Sequence, residues 1–592
     1  MGLSKSEKAK RRRKIKKAQQ RKKQKNESGQ VSNKPNIESQ KPFIKGNSLA
    51  RGEGMKLKPR DKNVLIHRDS ARSKKGTLCD QTSINVLSVI NDKSMSSVER
   101  SNRLFSSLIH PINPKKFYQD FWEAKHLLIQ RQNPNFYMDL FTSAEIWKLL
   151  EQQKLSYGRN IDVAKYSKGR RTTLNKDGFA DLHEVKHKFR SQGCTVRMLH
   201  PQEHFENIWK LLSVLEEHWG CQAGCNAYLT PKGSQGFAPH YDDIEAFVLQ
   251  LEGAKRWRVY FPRNPDEVLP RTSSPNFQQE EIGDAVLDVV LESGDLLYFP
   301  RGFIHQAEAL ADQDSLHITV STGQRGTWLD FLDHAVPLAL ELAGKSHPEF
   351  RQSLPRNFRH YMGIMHQLDG AEMEEEEQES GGDNQSMTVE DCGECSESEE
   401  ASKDQSGSEV CDESKMLDEE AALSIINTGY DNFDAETRRL AFKKKAMEMF
   451  AKTIDYLIPD AAVDSLQKQF MWERLPPFLP KYAENQNGKT IADISLDTCF
   501  RMKGADIARL TLGDDENEDL RIYYNLSNSR TCKEEQACFI ECPEEFAEAV
   551  KFILNSYPAT LQASDIPLEE EQDKISVVAE LVDKGIVHVE PK

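Results

Sequence analysis

The tightest constraint on this chain lies between Asn226 and Ser321. Within that stretch stands Gly236-Phe237-Ala238-Pro239-His240-Tyr241-Asp242-Asp243-Ile244-Glu245, and further on Tyr298-Phe299-Pro300-Arg301-Gly302-Phe303-Ile304-His305. Residues two apart on an extended strand point to the same face, about 7 Å apart at the backbone. His240 and Asp242 can therefore converge on one ion. A third ligand must come from elsewhere, and His305 offers it, just beyond a strand that follows the turn-like Glu292-Ser293-Gly294-Asp295.

Two imidazoles and one carboxylate on one side of a metal form the facial donor set of non-heme iron(II) oxygenases, with positions left open for a chelating co-substrate and O₂. A bare H-x-D carries little weight in a chain with 16 His and 93 acidic residues. The surroundings add to it. Glu245–Leu251, Trp257–Phe261, Leu296–Phe299 and His317–Ser321 are short apolar or aromatic runs separated by Gly and charged turns. Many short strands of this kind argue for a jelly-roll or barrel. Two other classes stay open on the residues alone. A metal-free cupin scaffold would keep the strands without needing a complete triad, and a zinc hydrolase can also use two histidines and a carboxylate.

The wording of these motifs resembles a known family. Asn226-Ala227-Tyr228-Leu229-Thr230-Pro231, the block 234–250, Gly294-Asp295-Leu296-Leu297-Tyr298-Phe299-Pro300-Arg301-Gly302 and His305-Gln306-Ala307 are similar to the JmjC ribosomal oxygenases. Phe237-Ala238-Pro239 and Arg301–His305 look more like the nucleolar branch, which pairs histidyl hydroxylation with lysine demethylation, than like the Mina branch. The resemblance is strong over 100–365 and looser over 420–592. It implies a double-stranded β-helix that holds Fe(II) through His240, Asp242 and His305, with 2-oxoglutarate and O₂ as co-substrates. It also implies that Lys255 meets the remote carboxylate of 2-oxoglutarate, for which a cation is the natural partner. Asn226 and Tyr228 match positions near the co-substrate and substrate pocket; strand packing is their other reading.

Ser321 and Thr319 alternate inward on the last core strand and are candidates to line the pocket. Gly323 departs from the tyrosine usual in the family. Asp243 lies one step from Asp242, which turns it to the other face and gives it a structural role. His183, His187 and His317 lack a partner set for a second metal.

At 592 residues the chain exceeds one core. No apolar run approaches the roughly 18 residues that span a bilayer, and the basic start has no apolar segment of a secretory leader. A membrane location is therefore not expected. Eleven scattered cysteines fit a reducing compartment. The net charge of −14 hides an asymmetry, since Lys5–Lys25 carries thirteen basic residues and one acid. Such a run reads as a nuclear or nucleolar address, as a salt-sensitive RNA contact, or as a solubilising tail.

Phe205–Leu215 has Ile208, Leu211, Leu212 and Leu215 on one face, an amphipathic helix. Beyond Ser321 the pattern is helical, and Leu440, Met447, Phe450, Ile454 and Leu457 form an apolar stripe. The stripe closes either the subunit's own core or a pair with a second copy, and the resemblance favours a homodimer. Between the helices lies an acidic stretch with Glu374-Glu375-Glu376-Glu377, read as a solvated loop or as a contact to basic proteins. Its Cys392-Gly393-Glu394-Cys395 lacks the second pair that a zinc site needs. Near the end, Leu520–Leu526 and Ile586–Val589 read as strands, and Phe546–Leu554 and Ile575–Leu581 as helices, a winged-helix-like set without a basic recognition helix.

The expected fold is α+β, mainly β in the catalytic core: a cupin-like jelly-roll, then a helical dimerisation region and a winged-helix-like domain. The expected divisions are 1–95, a disordered basic tail; 96–335, the JmjC domain with its lead-in; 336–370 and 421–460, helical; 371–420, the acidic insertion; and 461–592, the winged-helix-like end. The resemblance implies hydroxylation of a histidine in a large-subunit ribosomal protein. It also implies demethylation of methyl-lysine on histone tails, with transcriptional repression in chromatin, as a second activity or as an alternative primary one.

Overall fold

Alternation of apolar and polar residues builds the centre of the molecule. The computed structural model describes residues 67–68, 85–366, 434–479 and 494–590, apart from 514–518, 527 and 531–537. All of these fall in one unit, 60–592. The basic run, the acidic stretch and Cys392/Cys395 lie outside the described residues.

Ordered chain begins earlier than Ser96. Asn85 caps a short helix, Val86–Ile90, by accepting from the Leu87 N–H, and Val86, Val89 and Ile90 are buried. The division at 95 is therefore too late, because three apolar side chains inside the expected tail belong to the core. A capping box of Ser96 and Glu99 starts the next helix, Ser97–Ile109. The Pro114–Asp120 helix follows with Pro at its first turn.

Strands β1 (His67–Arg68), β2 (Leu127–Gln130), β3 (Ile161–Ser167), β4 (Arg170–Thr173), β5 (Thr195–Leu199), β6 (Gly224–Thr230), β7 (Glu245–Glu252), β8 (Ala254–Tyr260), β9 (Leu287–Glu292), β10 (Leu296–Phe299), β11 (Ile304–Ala309) and β12 (Ser315–Thr322) make two facing sheets. The larger runs β1-β2-β10-β7-β12-β6-β5-β3-β4, and the smaller β11-β8-β9. On β6, Cys225, Ala227 and Leu229 join the core shared with the helices, as do Leu316, Ile318 and Val320 on β12. Their alternates point the other way, into the barrel, with Asn226 opposite Thr319, Tyr228 opposite His317 and Thr230 opposite Ser315. The interior is closed by Val248, Trp257, Val259, Leu291, Leu297 and Phe299.

The helix Glu206–Trp219 buries Ile208, Leu211, Leu212 and Leu215 and stops at Gly220 in the left-handed region, φ 64°. Each such side chain contributes about 1.5–3 kcal/mol when fully buried. The same helix receives the chain that leads to the C-terminal domain: Glu216 accepts from the Leu475 N–H at 2.8 Å, and Ser213 Oγ accepts from the Phe478 N–H at 2.9 Å.

The helical region differs in extent from the sequence reading. One helix, Trp328–Ser346, runs through the expected division at 335/336 with Pro337 inside it, started by Thr327 and Asp330. It buries Ala335, Ala339 and Ala343, whose small side chains let Ala435–Ile454 and Pro459–Glu473 pack against it. Pro459–Glu473 thus belongs with the helices, and the division at 460/461 is too early. Leu440, Met447, Phe450 and Ile454 are 54, 72, 58 and 54% exposed, so the stripe does not close this subunit's core.

The C-terminal domain holds more β structure than the sequence reading found. Strands β13 (Cys499–Met502), β14 (Ala508–Leu512), β15 (Leu520–Tyr524), β16 (Cys538–Glu541), β17 (Leu561–Gln562) and β18 (Val587–Val589) form two small sheets, β17-β13-β18 and β14-β15-β16. They accompany the helices Ala547–Leu554 and Glu571–Asp583. Among the described residues no helix is long and apolar enough to cross a membrane.

Candidate metal centre

His240 does not sit in a ladder strand. It precedes β7 and pairs with His305 as an isolated antiparallel bridge, His305 N–H to His240 C=O at 2.8 Å and the reverse at 3.3 Å. The bridge sets the two imidazoles side by side, ring centres 4.5 Å apart. Asp242 completes the group: its Oδ1 lies 3.7 Å from His240 Nε2 and its Oδ2 3.7 Å from His305 Nε2. One ligand atom from each of the three lies within 4.8 Å of the others. Ligands about 2.1 Å from a shared ion and at right angles stand about 3 Å apart, so Asp242 would need to close on each imidazole by less than about 1 Å to share an ion with them.

The histidine tautomers follow from their partners. His240 Nδ1 lies 2.8 Å from the Ala238 carbonyl and His305 Nδ1 3.2 Å from the Phe303 carbonyl. A carbonyl only accepts, so each Nδ1 carries the proton and each Nε2 presents its lone pair to the Asp242 side. Burial, and then neighbouring His240, push His305 down to about 4, which keeps it neutral at physiological pH.

The segments that carry the ligands are locked together. Gly302 N–H donates to the Asp242 carbonyl at 3.0 Å. Gly302 has φ 88°, and a Cβ there would stand 2.2 Å from the Glu267 carbonyl oxygen, so the turn into β11 requires glycine. Beside it, buried Arg301 pairs with fully buried Glu245 at 3.1 Å and with Glu123 at 2.7 Å, while the Tyr298 hydroxyl also donates to Glu245. Burial raises Glu245 to about 7 against the opposing effects of Tyr298 and Arg301. Gly323 stands at this junction: its carbonyl accepts from Arg301 at 3.4 Å, and a Cβ on it would meet Glu245 Cγ at 3.0 Å.

Lys255 enters the barrel from β8, 4% exposed, and its Nζ donates to Thr230 Oγ1 at 2.9 Å. Desolvation pushes it down to about 7. A buried ammonium facing only a hydroxyl is costly, and an incoming carboxylate relieves that cost. The donor set at one end and the lysine at the other thus fit a metal with a chelating dicarboxylate.

Asn226, Tyr228 and Ser321 are half-buried on the same inward face. Ser321 Oγ would lie 2.7 Å from a Cβ on Gly224, its cross-strand partner, so glycine there makes room for it. Tyr228 stacks on His317, centres 4.8 Å apart, and meets Phe237 edge-on at 5.4 Å. Burial raises the Tyr228 hydroxyl to about 12, so it remains a donor.

Asp243 faces away from the group, accepting from Ser273 Oγ and from Gln324 Nε2, each at 2.7 Å. His183 and His187 lie on the helix Leu182–Gln192. Among the described residues, His240, Asp242 and His305 form the one group able to hold a metal.

Sequence reasoning missed Glu245, Arg301, Thr230 and the guanidinium pair at the rim, Arg171 and Arg197. Their guanidinium carbons lie 4.3 and 5.4 Å from the Phe237 ring centre. An acid opening an apolar strand, as Glu245 does, signals a buried cation partner.

Known proteins match the chain over most of its length. A JmjC domain profile matches residues 197–328, and the profile of a C-terminal winged helix domain, described as that of ribosomal oxygenase 1, matches 479–591. Ribosomal oxygenase 1 of Danio rerio is 36% identical over 529 residues, covering 87% of this chain and 85% of that protein. Its counterpart in Homo sapiens is 37% identical over 505 residues, 83% of this chain and 68% of the other. The bifunctional lysine-specific demethylase and histidyl-hydroxylase NO66 of Aedes aegypti is 36% identical over 498 residues, 82% and 67% of the two chains. Among solved structures, Escherichia coli ribosomal oxygenase YcfD matches at TM-score 0.39 and 14% identity, over 81% of this chain and 98% of that one.

Proposed function

The chain belongs to the ribosomal oxygenase 1 family of JmjC proteins, and from that premise we propose that it is an Fe(II)- and 2-oxoglutarate-dependent oxygenase hydroxylating a histidine of a large-subunit ribosomal protein. The observation that carries the reading is the convergence of His240 Nε2, Asp242 and His305 Nε2, with both Nδ1 atoms tied back to carbonyls. When bound, the iron and 2-oxoglutarate supply the oxidising power to turn a C–H bond into C–OH, with succinate as the spent co-substrate. The protein's own part is to hold and orient. His240, Asp242 and His305 grip the metal on one side; Lys255 takes the remote carboxylate; Val248, Trp257 and Phe299 keep water from the interior.

Asn226, Tyr228 and Ser321 are suited to hydrogen-bond a neutral imidazole or a peptide backbone, and orientation then selects which hydrogen reacts. The rim supports a neutral side chain over a cation. Arg171 and Arg197 lie over the Phe237 ring, whose centre is 6.4 Å from that of His240; Arg197 is paired with Asp162, and Arg171 makes no ion pair among the described residues. A methylated lysine would meet Arg171 and Arg197 with Asp162, the carboxylate beside them, already engaged by Arg197. The second reading, a primary histone lysine demethylase acting in chromatin and transcriptional repression, rests on the names of relatives such as the Aedes aegypti protein.

Assembly and location complete the proposal. The exposed stripe Leu440, Met447, Phe450 and Ile454 pairs with a second copy as a homodimer. The basic run 5–25 directs the chain to the nucleus and nucleolus and contacts RNA. Deleting residues 1–25 should abolish nucleolar enrichment and leave hydroxylation by the purified protein unchanged; retained enrichment would refute the address.

The function is tested by turnover of a histidine-containing ribosomal peptide with Fe(II) and 2-oxoglutarate. Succinate should form in step with oxygen gained by the peptide, and Zn(II) in place of Fe(II) should abolish both. Turnover supported by Zn(II) without 2-oxoglutarate would instead make the site hydrolytic.

A further inference from the structure

Three histidines project into the barrel, and one is held differently. His240 and His305 each tie Nδ1 to a carbonyl two residues upstream. His317 Nδ1 has no hydrogen-bond partner although it is buried, and the residue as a whole is 2% exposed. A buried orphan nitrogen is destabilising unless something absent from the protein pairs with it.

The position of His317 says what that is. On β12 it faces Tyr228 of β6 and Gln250 of β7, and the next inward pair along the same strands is Ser315 with Thr230, the hydroxyl that Lys255 touches. Lys255 and His305 both act on its ring electrostatically, so His317 lies near both the lysine and the metal ligand. The ring cannot turn freely. Tyr228 stacks on it at 4.8 Å with an interplanar angle of 8°, and Trp257 meets it edge-on at 5.2 Å and 79°. It is not in the metal-holding group. A neutral imidazole fixed in this way presents one N–H donor.

We propose that His317 is a co-substrate-binding residue whose imidazole N–H donates to the remote carboxylate of 2-oxoglutarate, beside Lys255 Nζ and the Thr230 hydroxyl. The proposal rests on the reading of the chain as a 2-oxoglutarate oxygenase. A water bridging His317 to Gln250, whose Oε1 is also without a partner, is the rival explanation of the orphan nitrogen.

Calorimetry on the full chain loaded with Mn(II), without turnover, separates these. Titrants are 2-oxoglutarate and 2-oxopentanoate, which keeps the chelating end and lacks the remote carboxylate. His317→Phe preserves the stacking ring and removes the donor; it should weaken 2-oxoglutarate roughly ten- to a hundredfold and leave 2-oxopentanoate unchanged. His317→Gln, which restores an N–H, should recover part of the loss. Equal weakening of both titrants would mean a collapsed barrel and overturn the assignment, as would unchanged 2-oxoglutarate affinity in His317→Phe, the result expected of the bridging water. Failure of the unaltered protein to bind 2-oxoglutarate at all would instead sink the oxygenase reading on which the proposal stands.

Discussion

Arg301 Nη1 lies 3.1 Å from Glu245 Oε1, and this buried pair ties the start of the strand after Asp242 to the turn that leads into His305. The two residues stand 56 apart in sequence, yet between them they fix the separation of the metal ligands. Removing one partner of a buried pair typically costs about 3–5 kcal/mol, because the other charge is left without compensation. Arg301→Ala should therefore lower the unfolding free energy by about that amount and weaken Mn(II) binding. Glu245→Gln, which keeps an acceptor and leaves Arg301 its contact with Glu123, should cost less. Denaturant melts with parallel metal titrations measure both; an Arg301→Ala protein as stable as the parent would remove the clamp from the account.

Asp242 and Asp243 are adjacent, but Asp242 alone faces the two imidazoles. His240→Ala, Asp242→Ala and His305→Ala should each abolish stoichiometric metal binding and succinate formation. Asp243→Ala should keep both, with some loosening of the loop that Ser273 and Gln324 attach. A folded Asp243→Ala protein as inactive as Asp242→Ala would require a different ligand set.

Lys255 gives the site a pH dependence of definite sign. In the free protein its ammonium is pushed down to about 7 by burial, and a dianionic co-substrate prefers the charged form. Affinity for 2-oxoglutarate should be fullest below pH 7 and should fall as pH rises, by about tenfold per unit once the free lysine is neutral. His305, held down to about 4, remains an unprotonated ligand through that range. Calorimetry from pH 6 to pH 9 follows the trend, with Lys255→Met as the flat control. Affinity that climbs with pH would contradict a lysine acting through its charge.

The barrel was legible because its signals are local. Alternation over β6 and β12 and the continuous apolar run of β7 survive in the order of residues, and His240, Asp242 and His305 are the ligand types that a facial metal site needs. The helix Glu206–Trp219 announced itself by the spacing of Ile208, Leu211, Leu212 and Leu215. What stayed hidden depended on distant partners. Nothing near Arg301 reveals Glu245, and nothing near Val86 shows that it packs into a core drawing on residues as distant as Val320 and Phe478. Nothing local shows that the helix Trp328–Ser346 runs unbroken through the expected division at 335/336. The strands β13, β14 and β16 are four or five residues each, too short and mixed to stand out by periodicity.

The exposed stripe on Ala435–Ile454 makes a further prediction. Phe450→Asp with Met447→Asp places two charges on its centre without touching the barrel. Sedimentation at micromolar concentration should show a dimer for the parent chain and a monomer for the double variant. A parent chain that sediments as a monomer would leave the stripe to some other partner.

The central claim is that the site acts on a histidine side chain in preference to a methylated lysine. Two peptides, one carrying the ribosomal histidine and one a methylated histone lysine, should be offered at equal concentration under identical Fe(II), O₂ and 2-oxoglutarate and followed by mass spectrometry. The account predicts oxygen incorporation at the histidine β-carbon far faster than loss of methyl from the lysine. Formaldehyde release from the histone peptide at an equal or greater rate, with no oxygen gained by the histidine peptide, would contradict it.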